Sequence, residues 1–127
     1  MKDLFSVTNT TKGKTPRLPF LLYKNRILGK KYDLSLVFVG EKKIRALNKR
    51  YRKIDKPTDI LSFSVGKNSG EIFICQKIAK TQAKEFERSY ANFIPFLLIH
   101  GMAHLLGYDH GNKMETLEKK YRKIFQV

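Results

Sequence analysis

Residues 60–75 read ILSFSVGKNSGEIFIC, and this stretch decides the fold class. Two short runs rich in large apolar residues, Ile60 to Val65 and Glu71 to Cys75, flank the turn-forming GKNSG of Gly66 to Gly70. The pattern predicts two core strands joined by a turn. Upstream, Asp33 to Val39 (DLSLVFV) has the same character and is expected to be a further core strand. Between them, Glu41 to Arg52 places Ile44, Leu47 and Tyr51 at helical spacing with cations on the other face. Lys53 to Thr58 then reads as a loop closed by Pro57.

The same reading extends to both ends. Leu4 to Val7 is expected as a short edge strand, and the Lys/Thr-rich stretch Thr8 to Thr15 as a mobile loop. Pro16 to Leu28 carries Leu18, Leu21, Leu22 and Ile27 in a helical pattern, with Pro16 near its start and Gly29 after it. From Gln76 the pattern is helical through Leu106, with a break near Ser89 to Pro95, and Phe93, Phe96, Leu97 and Leu98 read as core. Lys113 to Phe125 is a last amphipathic helix with Met114, Leu117, Tyr121, Ile124 and Phe125 on its apolar side. The fold class expected is α/β (α+β), a small mixed sheet with helices packed on it. With no repeat, linker or boundary in view, residues 1–127 are expected to form a single domain.

Composition narrows the partners. Of 127 residues, 42% are hydrophobic and 12% aromatic, as in a folded globular chain. Lys and Arg number 26 against 11 Asp and Glu, a formal charge of +15. Such a field attracts polyanions: nucleic acid first, an anionic membrane surface second, with solubility alone as the plainer explanation. The single cysteine, Cys75, excludes an intrachain disulfide, suits a reducing compartment and reads as a small buried hydrophobe. Met1 to Thr15 lacks a basic-then-apolar signal pattern. The longest strongly apolar stretch, Phe93 to Leu98, is too short to span a bilayer. A soluble cytoplasmic protein is expected, with no membrane partner.

The chemistry is expected in His100 to His110, HGMAHLLGYDH, which holds all 3 histidines of the chain. Residues four apart stand on one helix face, so His100 and His104 can turn two imidazoles toward one metal. Gly107 suits the left-handed residue that ends a helix, after which the chain turns back and His110 can supply a third nitrogen. Three protein ligands and one open position are the arrangement of a catalytic zinc, which brings the pKa of a bound water to about 7. Imidazoles also suit copper, nickel or iron, and availability favours zinc. A metal site is therefore expected at the end of a helix near the C-terminus.

The spacing H-x-x-x-H-x-x-G-x-x-H is also that of metzincin proteases, which place a general-base Glu directly after the first His. Here that residue is Gly101, which weakens the protease reading and leaves the ligation intact. Asp109, next to His110, is either a partner that orients a ligand, a base, or a solvated turn residue. Thr58 and Asp59 are expected to fix backbone geometry at the loop-to-strand junction, or else to line the cleft.

With these residues in view, the chain resembles the YbeY family, bacterial endoribonucleases that act in rRNA maturation. Three blocks carry the resemblance: His100 to Gly111 (HGMAHLLGYDHG), Leu47 to Phe63 (LNKRYRKIDKPTDILSF) and Gly70 to Ile74 (GEIFI). Glu71 stands where Asp is commoner and Ala103 where Leu is commoner, and the segment after His110 lacks an acidic cluster. The resemblance implies an α/β fold, one zinc on His100, His104 and His110, and a functionally important arginine that falls on Arg52. A planar guanidinium at Arg52 makes sense as a phosphate clamp that stabilises developing charge. Without the resemblance, Arg52 is one cation among Arg45, Lys49 and Arg50.

The function expected is a zinc-dependent, single-strand-specific endoribonuclease in rRNA maturation and ribosome quality control, with Arg52 and His104 as its catalytic residues. Its partners would be RNA and ribosomal particles. A non-catalytic ribosome assembly factor with structural zinc is the first alternative. A metalloprotease without its Glu base is the second.

Overall fold

Alternation of large apolar side chains along the strands sets the layers. The computed structural model describes residues 4–127. Four strands, β1 (Phe5–Asn9), β2 (Asp33–Phe38), β3 (Ile60–Gly66) and β4 (Ser69–Ile74), form one mixed sheet in the order β1-β2-β4-β3. β1 runs parallel to β2 and β2 parallel to β4, while β3 is antiparallel to β4 and forms an edge. Five helices surround the sheet: α1 (Phe20–Ile27), α2 (Glu41–Arg52), α3 (Gln76–Glu85), α4 (Tyr90–Leu105) and α5 (Asn112–Phe125).

On one face, Leu34, Leu36 and Phe38 of β2 and Ile72 and Ile74 of β4 are fully buried against α1, α3 and α4. Each such side chain contributes roughly 1.5–3 kcal/mol by leaving water. The opposite face carries a smaller cluster, with Val39, Leu61 and Cys75 under Ile44 of α2. The period of two explains the split: Leu61 pairs with Phe73 on the α2 side, while Ser62 pairs with Ile72 on the α4 side. The mixed α/β arrangement expected from the sequence is therefore the one observed.

The structure corrects several boundaries. α1 starts at Phe20, not at Pro16, because Thr15 and Leu18 each precede a proline and are held out of the helical region. Its buried face is consequently Phe20, Tyr23, Lys24 and Ile27, and Leu22 is exposed. The helical break lies at Phe86 to Ser89, with Glu87 at φ 55°, and Pro95 is carried inside α4. Ser89 restarts the helix there, its hydroxyl accepting from the Asn92 N–H at 3.1 Å. The turn between β3 and β4 shortens to Lys67 and Asn68, since Ser69 and Gly70 join the ladder. β1 runs on through Thr8 and Asn9, which the sequence assigns to the loop, and the rest of that loop folds back onto Asn9, whose side chain bonds Thr11 N–H at 2.9 Å and the Gly13 carbonyl at 2.8 Å. Ile124 is exposed rather than part of the apolar side of α5. Among the described residues, no helix is long and apolar enough to cross a membrane.

Candidate metal centre

α4 carries the first two histidines, one turn apart on its last turns. It ends with Leu106 as its cap and Gly107 at φ +95°, a backbone conformation that costs an L-residue energy. The Gly107 N–H donates to the His104 carbonyl at 2.9 Å and the Tyr108 N–H to the Ala103 carbonyl at 3.2 Å. This paired closure satisfies carbonyls the helix end would otherwise leave free and reverses the chain. The reversal brings His110 against the other two. Ring centroids lie 4.7 Å apart for His100 and His104, 5.5 Å for His100 and His110, and 5.1 Å for His104 and His110. One nitrogen from each ring falls within 4.8 Å of the others.

Two of the rings are oriented from behind. His100 Nδ1 lies 3.0 Å from Glu118 Oε1 of α5, and His104 Nδ1 lies 3.1 Å from the Tyr108 carbonyl oxygen. A carbonyl only accepts, and an ionised carboxylate does the same, so each Nδ1–H donates and each Nε2 keeps its lone pair for a metal. Burial, then the neighbouring His100 and His110, hold His104 below the ordinary histidine range, against the pull of Tyr108 and Glu118. The neutral imidazole that a metal requires is thereby favoured. Three convergent nitrogens with two of their rings pinned fit a zinc-type ion.

The histidines stand in a cleft of about 760 Å³. β3 forms its floor, and because β3 is an edge strand the cleft spans residues from both faces of the sheet. Tyr51 and Arg52, at the end of α2, contribute from one side. The loop that follows is held by Lys53 at φ 59°, by Asn48 Nδ2 donating to the Lys56 carbonyl at 2.9 Å, and by Arg45 on Asp55 at 2.7 Å. It delivers Thr58 and Asp59 to the cleft wall. Burial there pushes the Asp59 carboxyl above the usual carboxylate range, offset in part by backbone hydrogen bonds, Thr58 and His100.

The structure thus brings His100, His104, His110 and Arg52 to one cleft, together with Thr58 and Asp59. Asp109 is exposed and lines a shallower pocket beside His110. Among the described residues, no hydrogen bond joins Asp109 to a histidine; Glu118 holds His100 instead. The sequence carried a signal for Glu118: it is the one acid among Met114, Leu117, Tyr121 and Phe125 on the inner side of α5. Tyr51 was read as an apolar helix position but is 56% exposed in the cleft. Phe96 and Leu97, read as core, also line it.

Gly101 explains why no base follows the first histidine. It is buried against the sheet, and a Cβ there would meet Ser62 Oγ at 2.8 Å and Ile60 Cδ1 at 2.9 Å. A glutamate at that position would force Ser62 and Ile60 to shift or α4 to move off β3.

The chain has relatives among known proteins. Residues 11–126 match the family model described as endoribonuclease YbeY. The chain is 44% identical over 98 residues to the endoribonuclease YbeY of Aquifex aeolicus, covering 72% of this chain and 65% of that one. It is 46% identical over 93 residues to the Finegoldia magna protein of the same name, covering 68% and 61% respectively. The chain therefore spans somewhat under two thirds of the length of these curated relatives. The solution structure of TM1509 from Thermotoga maritima superposes with a TM-score of 0.63 at 28% identity, covering 92% of this chain and 85% of that one. The family match takes in α2, the β3–β4 hairpin, the histidine helix and all three candidate ligands, so this chain belongs to the YbeY family.

Proposed function

We propose that this chain is a zinc-dependent endoribonuclease that cuts single-stranded RNA in rRNA maturation and ribosome quality control, working in the cytoplasm as one hydrolase domain. The observation that carries the reading is the convergence of three histidine nitrogens, within 4.8 Å of one another, in a cleft that also holds an arginine. The names of the relatives add the substrate class. His100, His104 and His110 would hold the zinc, which when bound would supply Lewis acidity toward a phosphoryl oxygen.

The chain's own residues do the rest. Glu118 and the Tyr108 carbonyl hold two imidazoles in their orientation, so these two rings lose less side-chain freedom when a ligand arrives. Arg52 makes no ion pair among the described residues, leaving its planar guanidinium for two phosphate oxygens. The +15 net charge draws the strand in and makes binding salt-dependent.

The test is cleavage of a labelled single-stranded rRNA fragment by the purified protein. Untreated protein, metal-stripped protein, the same protein with zinc returned, His104→Ala and Arg52→Ala would run together. Cleavage that disappears on stripping, returns with zinc and is absent in His104→Ala is expected, with Arg52→Ala impaired at unchanged zinc content. Equal cleavage in every sample would mean a contaminating nuclease. Zinc bound without cleavage in any sample would move the function to an assembly factor on ribosomal particles.

A further inference from the structure

The cleft holds an aromatic group that the histidines do not need. Phe93, Phe96, His100 and His104 follow one another along α4 at spacings of three and four, so they share a side of the helix. At a rise of 1.5 Å per residue, Phe96 precedes His100 by about 6 Å along the axis. The rings of Phe93 and Phe96 stack with centroids 5.6 Å apart and planes 20° apart. Phe86, just beyond the end of α3, completes the group at 5.5 Å from Phe93 and 5.9 Å from Phe96. Phe93 is fully buried and belongs to the core, whereas Phe86 is 54% exposed in the wall of the cleft. The left-handed Glu87 that follows turns the chain at this point.

Two guanidinium groups lie against Phe96. Arg88 Cζ lies 4.2 Å from the Phe96 centroid, and Arg122 Cζ, reaching from α5, lies 5.6 Å from it. Among the described residues neither has a carboxylate partner, although Arg88 also donates to Asn92 Oδ1. Burial, and secondarily Arg122, hold the Arg88 pKa below its ordinary value. An aromatic core does not call for cations, and an apolar peptide side chain would leave two unneutralised guanidiniums without a counter-charge. A nucleotide suits both features, since its base has a face to stack and its phosphates are anionic.

We propose that Phe86, backed by Phe93 and by Phe96 with Arg88 and Arg122 against its ring, is a base-stacking subsite holding one nucleotide of single-stranded RNA next to the phosphate at the histidines. The proposal rests on the RNA reading of the metal centre and adds the source of its preference for single strands. A base must be free of its stack to lie on Phe86, so a duplex cannot use the subsite. Stacking accepts any base, so the contact is indifferent to sequence.

The test compares KM and kcat of the zinc-loaded full chain on single-stranded RNA with those of Phe86→Leu and Phe86→Tyr. Leucine keeps the apolar bulk without the ring, and tyrosine keeps the ring. Phe86→Leu is expected to raise KM about tenfold with a much smaller change in kcat. Phe86→Tyr is expected to stay within about twofold of wild type, as stacking needs only the ring. Zinc content and melting temperature of both variants should match wild type. Should Phe86→Leu fold poorly, Arg88→Gln serves instead, raising KM and reducing the slope of log binding against log salt by about 0.7. A Phe86→Leu enzyme with wild-type KM, or a Phe86→Tyr enzyme as impaired as the leucine variant, would overturn the subsite while leaving the ribonuclease reading in place. Wild-type protein that neither binds nor cleaves single-stranded RNA would overturn both.

Discussion

Gly101→Ala sets two opposed effects against each other. In an open helix, alanine in place of glycine stabilises by roughly 0.5–1 kcal/mol, because glycine loses more backbone freedom on folding. At this position the new Cβ would lie 2.8 Å from Ser62 Oγ, 2.9 Å from Ile60 Cδ1 and 3.4 Å from Ile72 Cδ1. The isoleucine methyl can turn aside, but Ser62 Oγ, two bonds from the strand's Cα, has a single torsion with which to move, and three residues crowd one methyl group. Overpacking of this kind costs typically about 1–3 kcal/mol. The cost exceeds the helix gain, and a net loss of about 1 kcal/mol is expected, lowering the melting temperature by roughly 3–5 °C for a domain of this size. Because the strain pushes α4 away from β3 between two candidate ligands, zinc affinity should fall alongside stability. Thermal unfolding and chelator competition on the same samples measure both. A Gly101→Ala protein more stable than wild type would refute the close approach of α4 to β3, and with it the explanation for the missing glutamate.

Other consequences are as direct. Glu118→Gln keeps an acceptor for His100 Nδ1 but removes the charge, and zinc affinity should drop about 10- to 100-fold with little change in fold, measured by competition with a chromophoric chelator. Metal-free protein should also lose stability in mild acid. His104 lies below the ordinary histidine value when folded, while the unfolded chain keeps it near 6.5, so the unfolded state binds the proton more tightly. Its contribution is therefore fully present above about pH 6.5 and is lost as pH falls through the folded value. Melting of the apo protein between pH 7.5 and 5 should show this slope, and His104→Gln should flatten it. An unchanged slope would contradict the assigned burial.

What the sequence revealed depended on how local the physics is. β2, α2 and the hairpin strands were readable because the period of the apolar residues and the turn residues between them are contained in a few neighbouring positions. The chain reversal after α4 was readable for the same reason, through Gly107. Pro16 looks like a first helical residue, but Pro19 imposes a second restriction three residues later and α1 starts only at Phe20. At the site, the histidines shared one short segment, but Glu118 lies 18 residues from its partner His100, and only the packing of α5 on α4 brings them together. Tyr51 and Phe96 read as ordinary apolar positions, since hydrophobicity alone does not say whether a ring faces a core or a cleft. Arg52 differs from Arg50 in sequence by nothing but its place on the helix, and it is Arg52 that lines the cleft.

The most direct test of the account is the zinc content and ligand environment of the full chain, measured by elemental analysis and X-ray absorption on wild type and on His100→Ala, His104→Ala and His110→Ala. One zinc per chain with three imidazole nitrogens in wild type, and weakened binding in each variant, is the expected result. Full zinc occupancy retained by any one of the three variants, or sulfur from Cys75 among the ligands, would contradict it.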